Sequence, residues 1–214
     1  MRWHAACLPK GCRDGAQALK GFAWLKEFYL AGGTALALHY GHRLSVDLDF
    51  FSPTNDLGLT GREPLLKDLE GIGATIEEQK DGTIHARLGK THVSFFRYHY
   101  PLIQPPALWQ GIRIAGIHDI GLMKIGAIIG RGSKKDFIDL YAILKKDASL
   151  PKLLRLARRK FGSGEEFPLQ AFRALVYFAD AEREPTPRIL AKITWDEVKR
   201  YFENKIRKSA SPFR

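Results

Sequence analysis

The segment 28–51 (Phe-Tyr-Leu-Ala-Gly-Gly-Thr-Ala-Leu-Ala-Leu-His-Tyr-Gly-His-Arg-Leu-Ser-Val-Asp-Leu-Asp-Phe-Phe) constrains this chain more than any other stretch. It reads as strand, glycine turn, helix, short loop and strand. Phe28 to Leu30 is apolar and stops at Gly32-Gly33, the mark of a short buried strand. Thr34 suits the N-cap of the next helix, whose packing side holds Leu36, Ala37, Leu38 and Tyr40, and Gly41 ends it. Paired glycines let backbone approach a ligand closely, and a helix N-terminus offers unpaired N–H groups to an anion, here most naturally a triphosphate. Ser45 to Phe51 reads as the second strand, with Ser45, Asp47 and Asp49 on one face and Val46, Leu48 and Phe50 on the other. Adjacent carboxylates repel unless a cation lies between them, and hard oxygen ligands suit Mg²⁺ or Mn²⁺. A lone Asp-x-Asp fits a merely solvated strand better than a metal site. The Gly-Gly-Thr helix start upstream favours the metal.

The remaining chemistry falls on later elements. A helix over Asp14–Lys26 and another over Arg62–Leu69 are expected, then strands over 74–79, 83–88 and 91–98, the first two joined by the hairpin signal Asp81-Gly82. The last of these strands puts His92, Ser94, Phe96 and Tyr98 on one face and Val93, Phe95 and Arg97 on the other. It carries no acid; His92 and Ser94 either line a site or serve the fold. One more strand is expected over 111–115. In the following helix, from Ile120 to about Gly130, Lys124 shares a side with Ile128 and Arg131 among apolar neighbours. Such a lysine either snorkels to water or sets a cation against phosphate. Ser133 and Asp136 have capping-box spacing at the start of the next helix. Its apolar stripe, Phe137, Leu140, Tyr141 and Leu144, leaves Asp136 and Asp139 together on another side, and Asp139 has no capping use. Lys134 and Lys135 are solvated or contact phosphate. Beyond them come a basic amphipathic helix over Leu150–Phe161 closed by Gly162-Ser163-Gly164, a helix over Phe167–Ala181 with Phe172, Leu175, Val176 and Phe178 inward, a final helix from Trp195, and a basic, frayed end from Asn204.

Composition narrows the partners. The 214 residues suffice for a sizeable core in one domain or two small ones, and 45% are hydrophobic. No apolar run approaches the ~20 residues of a membrane span, and the N-terminal residues lack a signal-peptide core, so no membrane contact and a cytoplasmic location are expected. Cys7 and Cys12 have no second cysteine pair to complete a zinc site and read as free thiols. The net charge of +11 is uneven: from Lys134 onward 19 Lys/Arg face 11 Asp/Glu, against 15 and 12 before it. An electropositive C-terminal half suits RNA or DNA; the plain alternative is solubility.

Gly32-Gly33 followed by Asp47-x-Asp49 resembles the signature of the polymerase-beta-like nucleotidyltransferases. The fuller string, with Gly-His-Arg43-x-Ser45 before the aspartates, resembles the abortive-infection AbiEii/AbiGii toxins. So do Met-Lys124 and Arg131-Gly-x-Lys-Lys-Asp136-Phe-x-Asp139-Leu-Tyr. The likeness runs from Phe28 to Phe202. It implies an α+β or α/β fold: a nucleotidyltransferase core over 1–115 with a mixed sheet flanked by helices, then a mainly helical region, 116–214, packed on it. It implies an enzyme moving a nucleotide from an NTP to an acceptor, chiefly RNA such as tRNA and alternatively a protein, in a type IV toxin–antitoxin or phage-defence-like system with a cognate antitoxin. Asp47, Asp49, Lys124 and Asp139 would be catalytic, the first two on the metal. Gly32, Gly33, Thr34, Arg43, Ser45 and Arg131 would bind nucleotide, with Asp136, His92 and Ser94 as further candidates. Many members of the wider superfamily add a third carboxylate on a strand beside the pair. Without it, the expectation is one Mg²⁺ on two carboxylates, and the competing reading is a degenerate module that binds nucleotide or RNA without turnover.

Overall fold

The computed structural model describes residues 2–162 and 166–210, and the chain divides into two compact units, Met1–Gly116 and Ile117–Arg214. Ser163, Gly164 and residues 211–214, part of the expected glycine stop and frayed end, lie outside the described residues.

The first unit is a mixed seven-stranded sheet with helices α1 (Lys10–Leu19), α2 (Gly32–Tyr40) and α3 (Leu59–Gly71). Its strands are β1 (Tyr29–Leu30), β2 (Leu48–Ser52), β3 (Thr75–Lys80), β4 (Thr83–Leu88), β5 (Thr91–Arg97), β6 (Ala107–Trp109) and β7 (Ile112–Ile114). Their order across the sheet is β3-β4-β5-β2-β1-β7-β6. β2 runs parallel to β5, and β1 runs antiparallel to β2 and parallel to β7. The core face is aromatic. Phe50 stacks on Phe95 at 5.3 Å between ring centres, and Phe28 and Trp24 meet Phe95 edge-on. Burial alternates along β2, with Leu48, Phe50 and Ser52 inward and Asp49 and Phe51 half-exposed. The sheet thus turns Asp49 to the other face, as period-2 geometry demands.

Two expectations are corrected here, and one strand is added. The helix expected over 14–26 is α1 followed by a 3-10 turn at Ala23–Glu27, because the chain becomes extended at Phe22. The strand expected from Ser45 begins at Leu48: the Ser45 amide donates to the Cys7 carbonyl at 3.1 Å, tying this stretch to the N-terminal segment, and Val46 is exposed. β6 was not expected. It pairs with β7 through Gln110 and Gly111, both at positive φ, a two-residue turn whose first position is more often Asn or Asp.

The second unit is helical: α4 (Ile117–Arg131), α5 (Lys134–Lys146), α6 (Leu150–Phe161), α7 (Glu166–Ala174), α8 (Ala179–Glu182) and α9 (Trp195–Ala210). α4 packs on α5, α6 and α7, and α5 on α8 and α9. Phe137 of α5 anchors that contact against Phe178, Trp195 and Phe202. The single helix expected over 167–181 is broken between α7 and α8, leaving Val176 exposed. α6 buries one of its basic residues: Lys160 Nζ lies 2.7 Å from Asp119 Oδ1 of α4, both side chains wholly enclosed. Enclosed charges are tolerated only in such pairs. No described helix is long and apolar enough to cross a membrane.

Candidate active site

The glycine turn sets the geometry in the first unit. Ala31 is the N-cap of α2, and its amide donates to the Asp49 carbonyl at 3.0 Å, so helix start and strand are stitched together. Gly32 has φ +64°, and a Cβ there would stand 3.3 Å from Asp49 Oδ2; the carboxylate lies against the turn. A Cβ on Gly33 would sit 2.0 Å from Arg43 Nη2, in space that the guanidinium fills. Arg43 is buried, and its Nη1 donates to the Leu44 carbonyl at 2.9 Å. A cation at the positive end of a helix is favourable only beside negative charge. Asp49 supplies some, and a bound phosphate would supply more.

Thr34 is not the cap, since the helix begins two residues earlier. It is buried in the first turn and donates its hydroxyl to the Asp47 carbonyl. The Ser45 hydroxyl, 2.8 Å from Thr34 Oγ1, must then supply its own hydrogen to that oxygen. Thr34 and Ser45 therefore shape the loop carrying Asp47. Asp47, just before β2, and Asp49 within it are both half-exposed. Behind them lie two buried thiols: burial, then chiefly the charge of Asp47, pushes Cys12 up to about 12, while burial pushes Cys7 up to about 11.

On the neighbouring strand Ser94 stands opposite Asp49, and His85 of β4 stands opposite Ser94, its Nδ1 2.9 Å from Ser94 Oγ. The row beside Asp49 thus offers a hydroxyl and an imidazole where an acid would complete a three-carboxylate site. His92 is exposed, with Nδ1 3.2 Å from Glu77 Oε2. His85 was not singled out from sequence, although the turn at Gly89-Lys90 fixes its register with Ser94. Among the described residues no group of three or more His, Cys, Asp or Glu could hold a metal. Asp47 and Asp49 offer carboxylate oxygens of the kind a hard divalent ion takes.

The second unit contains a buried charge cluster. Lys124 Nζ on α4 lies 2.8 Å from Asp136 Oδ1 and 2.6 Å from Asp139 Oδ2 on α5. Both carboxylates are wholly enclosed and the lysine nearly so. Arg131 joins through Nε, 2.9 Å from Asp136 Oδ2, although its side chain is 61% exposed. The four charges sum to zero. Burial opposes ionisation of Asp136 most strongly, but the Lys124 ammonium and the Arg131 hydrogen bond outweigh it and hold the carboxyl below its usual range. The capping role expected for Asp136 is overturned: Ser133 makes no side-chain cap and donates instead to Glu184 Oε2 at 2.6 Å. Lys134 is buried too, giving Nζ to the Glu184 carbonyl.

Residues 17–208 match the family described as nucleotidyl transferase AbiEii toxin, type IV TA system. An uncharacterised protein of Aquifex aeolicus (strain VF5) is 35% identical over 207 residues, covering 94% of this chain and 96% of the relative. Among solved structures, a provisionally assigned nucleotidyltransferase from H. pylori aligns with TM-score 0.54 at 16% identity, covering 96% of this chain and 99% of that one. MenT4, a nucleotidyltransferase toxin from Mycobacterium tuberculosis, aligns with TM-score 0.52 at 15% identity, covering 91% and 82%. These last two likenesses are of fold. With the family match spanning most of the chain, the protein belongs to the AbiEii family of nucleotidyltransferase toxins.

Proposed function

We propose that this nucleotidyltransferase is metal-dependent and transfers a nucleotide from an NTP to RNA, with tRNA the favoured acceptor. Its setting would be a cytoplasmic type IV toxin–antitoxin or phage-defence system with a cognate antitoxin. The observation that carries this reading is the Asp49 carboxylate held against Gly32 at the start of α2, beside the Arg43 guanidinium that fills the space over Gly33. Triphosphate oxygens fit the helix N-terminus and Arg43; Asp47 and Asp49 would hold Mg²⁺ or Mn²⁺. Such an ion, when bound, neutralises phosphate charge and helps the pyrophosphate leave. With the enclosed cluster opened by substrate, Lys124 would offset charge on the phosphates, Asp136 and Arg131 positioning it. Asp139, uncovered in the same way, would take the proton of the acceptor hydroxyl as the hydroxyl oxygen attacks the α-phosphorus and the α–β bridging bond breaks.

Thermal melting and label transfer test this reading. Mg²⁺ or Mn²⁺ with NTP should raise Tm in the parent, and Asp47→Ala or Asp49→Ala should each abolish the rise. Incubation with α-labelled NTP, Mg²⁺ and total RNA should label RNA. If both variants respond to metal and NTP like the parent, the aspartate pair is not the metal site; if label never enters RNA, the acceptor assignment fails.

A further inference from the structure

A cleft of about 410 Å³ opens in the second unit where the end of α4 faces α7 and α8. Ile128–Gly132 form one wall, and Gln170, Arg173, Tyr177 and Asp180 supply polar groups across it. That volume suits one nucleotide-sized ligand. Tyr177 is 59% exposed, although large aromatic rings are usually covered. Among the described residues the side chains of Arg173, Tyr177, Gln170 and Asp180 have no hydrogen-bond or ion-pair partner. The cleft reaches the buried charges through Arg131, which lines it and also binds Asp136.

We infer that this cleft holds the 3′-terminal nucleotide of the single-stranded RNA acceptor. The inference rests on the proposed transfer to RNA and gives that acceptor a place. An arginine can bind one phosphodiester, and an exposed ring can stack on one base whatever its identity. Gln170 and Asp180 add the donors and acceptors that a base edge requires. A triphosphate fits poorly. The cleft lies at the C-terminal end of α4, where the helix dipole is negative, and Asp180 adds another negative charge. Gly132, at φ +59°, closes that helix by donating to Ala127 and Ile128 carbonyls, so no amide nest faces the ligand. Arg131 is already matched by Asp136, so Arg173 is the guanidinium left to offset one phosphodiester, and the larger charge of a triphosphate suits the start of α2 better. Arg131 thus links the cleft to the charge cluster that contains Asp139, the group assigned to the acceptor hydroxyl.

The test uses the full chain without NTP and a fluorescein-labelled single-stranded oligoribonucleotide of about eight nucleotides with a free 3′ hydroxyl. Arg173→Ala and Tyr177→Ala should each weaken binding roughly tenfold or more, while Tyr177→Phe stays near parent. Lys20→Ala, which removes an exposed charge in the first unit, should change affinity less than twofold. Unchanged Tm in each variant shows an intact fold. In turnover, Arg173→Ala should raise KM for RNA and leave KM for NTP unchanged. If the parent binds the oligonucleotide and both alanine variants bind it equally well, the cleft assignment is overturned while the transfer reading stands. If the parent binds no RNA and labels a protein instead, cleft and RNA acceptor fall together, whereas the Tm response to metal and NTP still reports on the aspartate pair.

Discussion

Lys124 enters α4 flanked by apolar residues and ends between two enclosed carboxylates, so its substitution is costly for reasons separate from catalysis. Lys124→Met removes the buried cation shared by Asp136 and Asp139, leaving Asp136 only Arg131, and urea denaturation should show a loss of about 3–5 kcal/mol. Asp139→Asn should leave NTP binding near normal while transfer falls by ~100-fold or more, as for loss of a general base. Asp136 has a pH signature. Its carboxyl is held below 3.8 in the folded protein, so its contribution to stability is present above that pH and lost as pH falls through the lowered value. Asp136→Asn should therefore make the fall in stability below about pH 4 shallower than in the parent. An identical acid profile in the two proteins counts against Asp136 as the ionised partner of Lys124. Local spacing in the sequence suffices to place Lys124 in an apolar setting and Asp136 beside Asp139. It misassigns Asp136 because Ser-x-x-Asp predicts a cap, and a residue 51 positions away, Glu184, takes the Ser133 hydroxyl. The Asp119–Lys160 pair spans 41 positions and leaves no periodic trace.

At the scale of elements, β1, α2 and β2 form one device, in which the Ala31 amide ties the helix start to the strand carrying Asp49. Gly33 is its sensitive point. In Gly33→Ala the new methyl takes the position of Arg43 Nη2. The end of an arginine can swing aside, so the fold should survive with Tm within a few degrees while NTP affinity drops roughly tenfold with loss of a charged phosphate contact. Gly32→Ala differs: its positive φ costs about 1–2 kcal/mol in any side-chain-bearing residue and should lower Tm clearly. Equal NTP affinity in Gly33→Ala and parent, by isothermal titration, removes Arg43 from the phosphate site. Most elements are legible because glycine, proline and apolar period mark them. The exceptions have tertiary causes: Ser45 is held by Cys7, so the strand starts late, and Gln110 adopts a left-handed conformation that nothing local demands.

At the scale of the whole molecule, charge is the feature composition reveals best, with 19 Lys/Arg against 11 Asp/Glu from Lys134 onward. Two of those cations, Lys134 and Lys160, are spent inside the protein on Glu184 and Asp119, which sequence counting cannot show. The exposed remainder should make RNA affinity fall by orders of magnitude from 50 to 200 mM salt, provided several phosphates are contacted. A flat response assigns the surplus to solubility. The buried thiols have a different consequence. Cys7 and Cys12 are each 1% exposed, with pKa values pushed up to about 11 and about 12, so at neutral pH the folded chain presents no thiolate to an alkylating reagent. Their modification then becomes a clock for opening of the N-terminal segment: slow labelling measures how often that segment lifts away from the aspartate loop, and metal with NTP should slow the clock further.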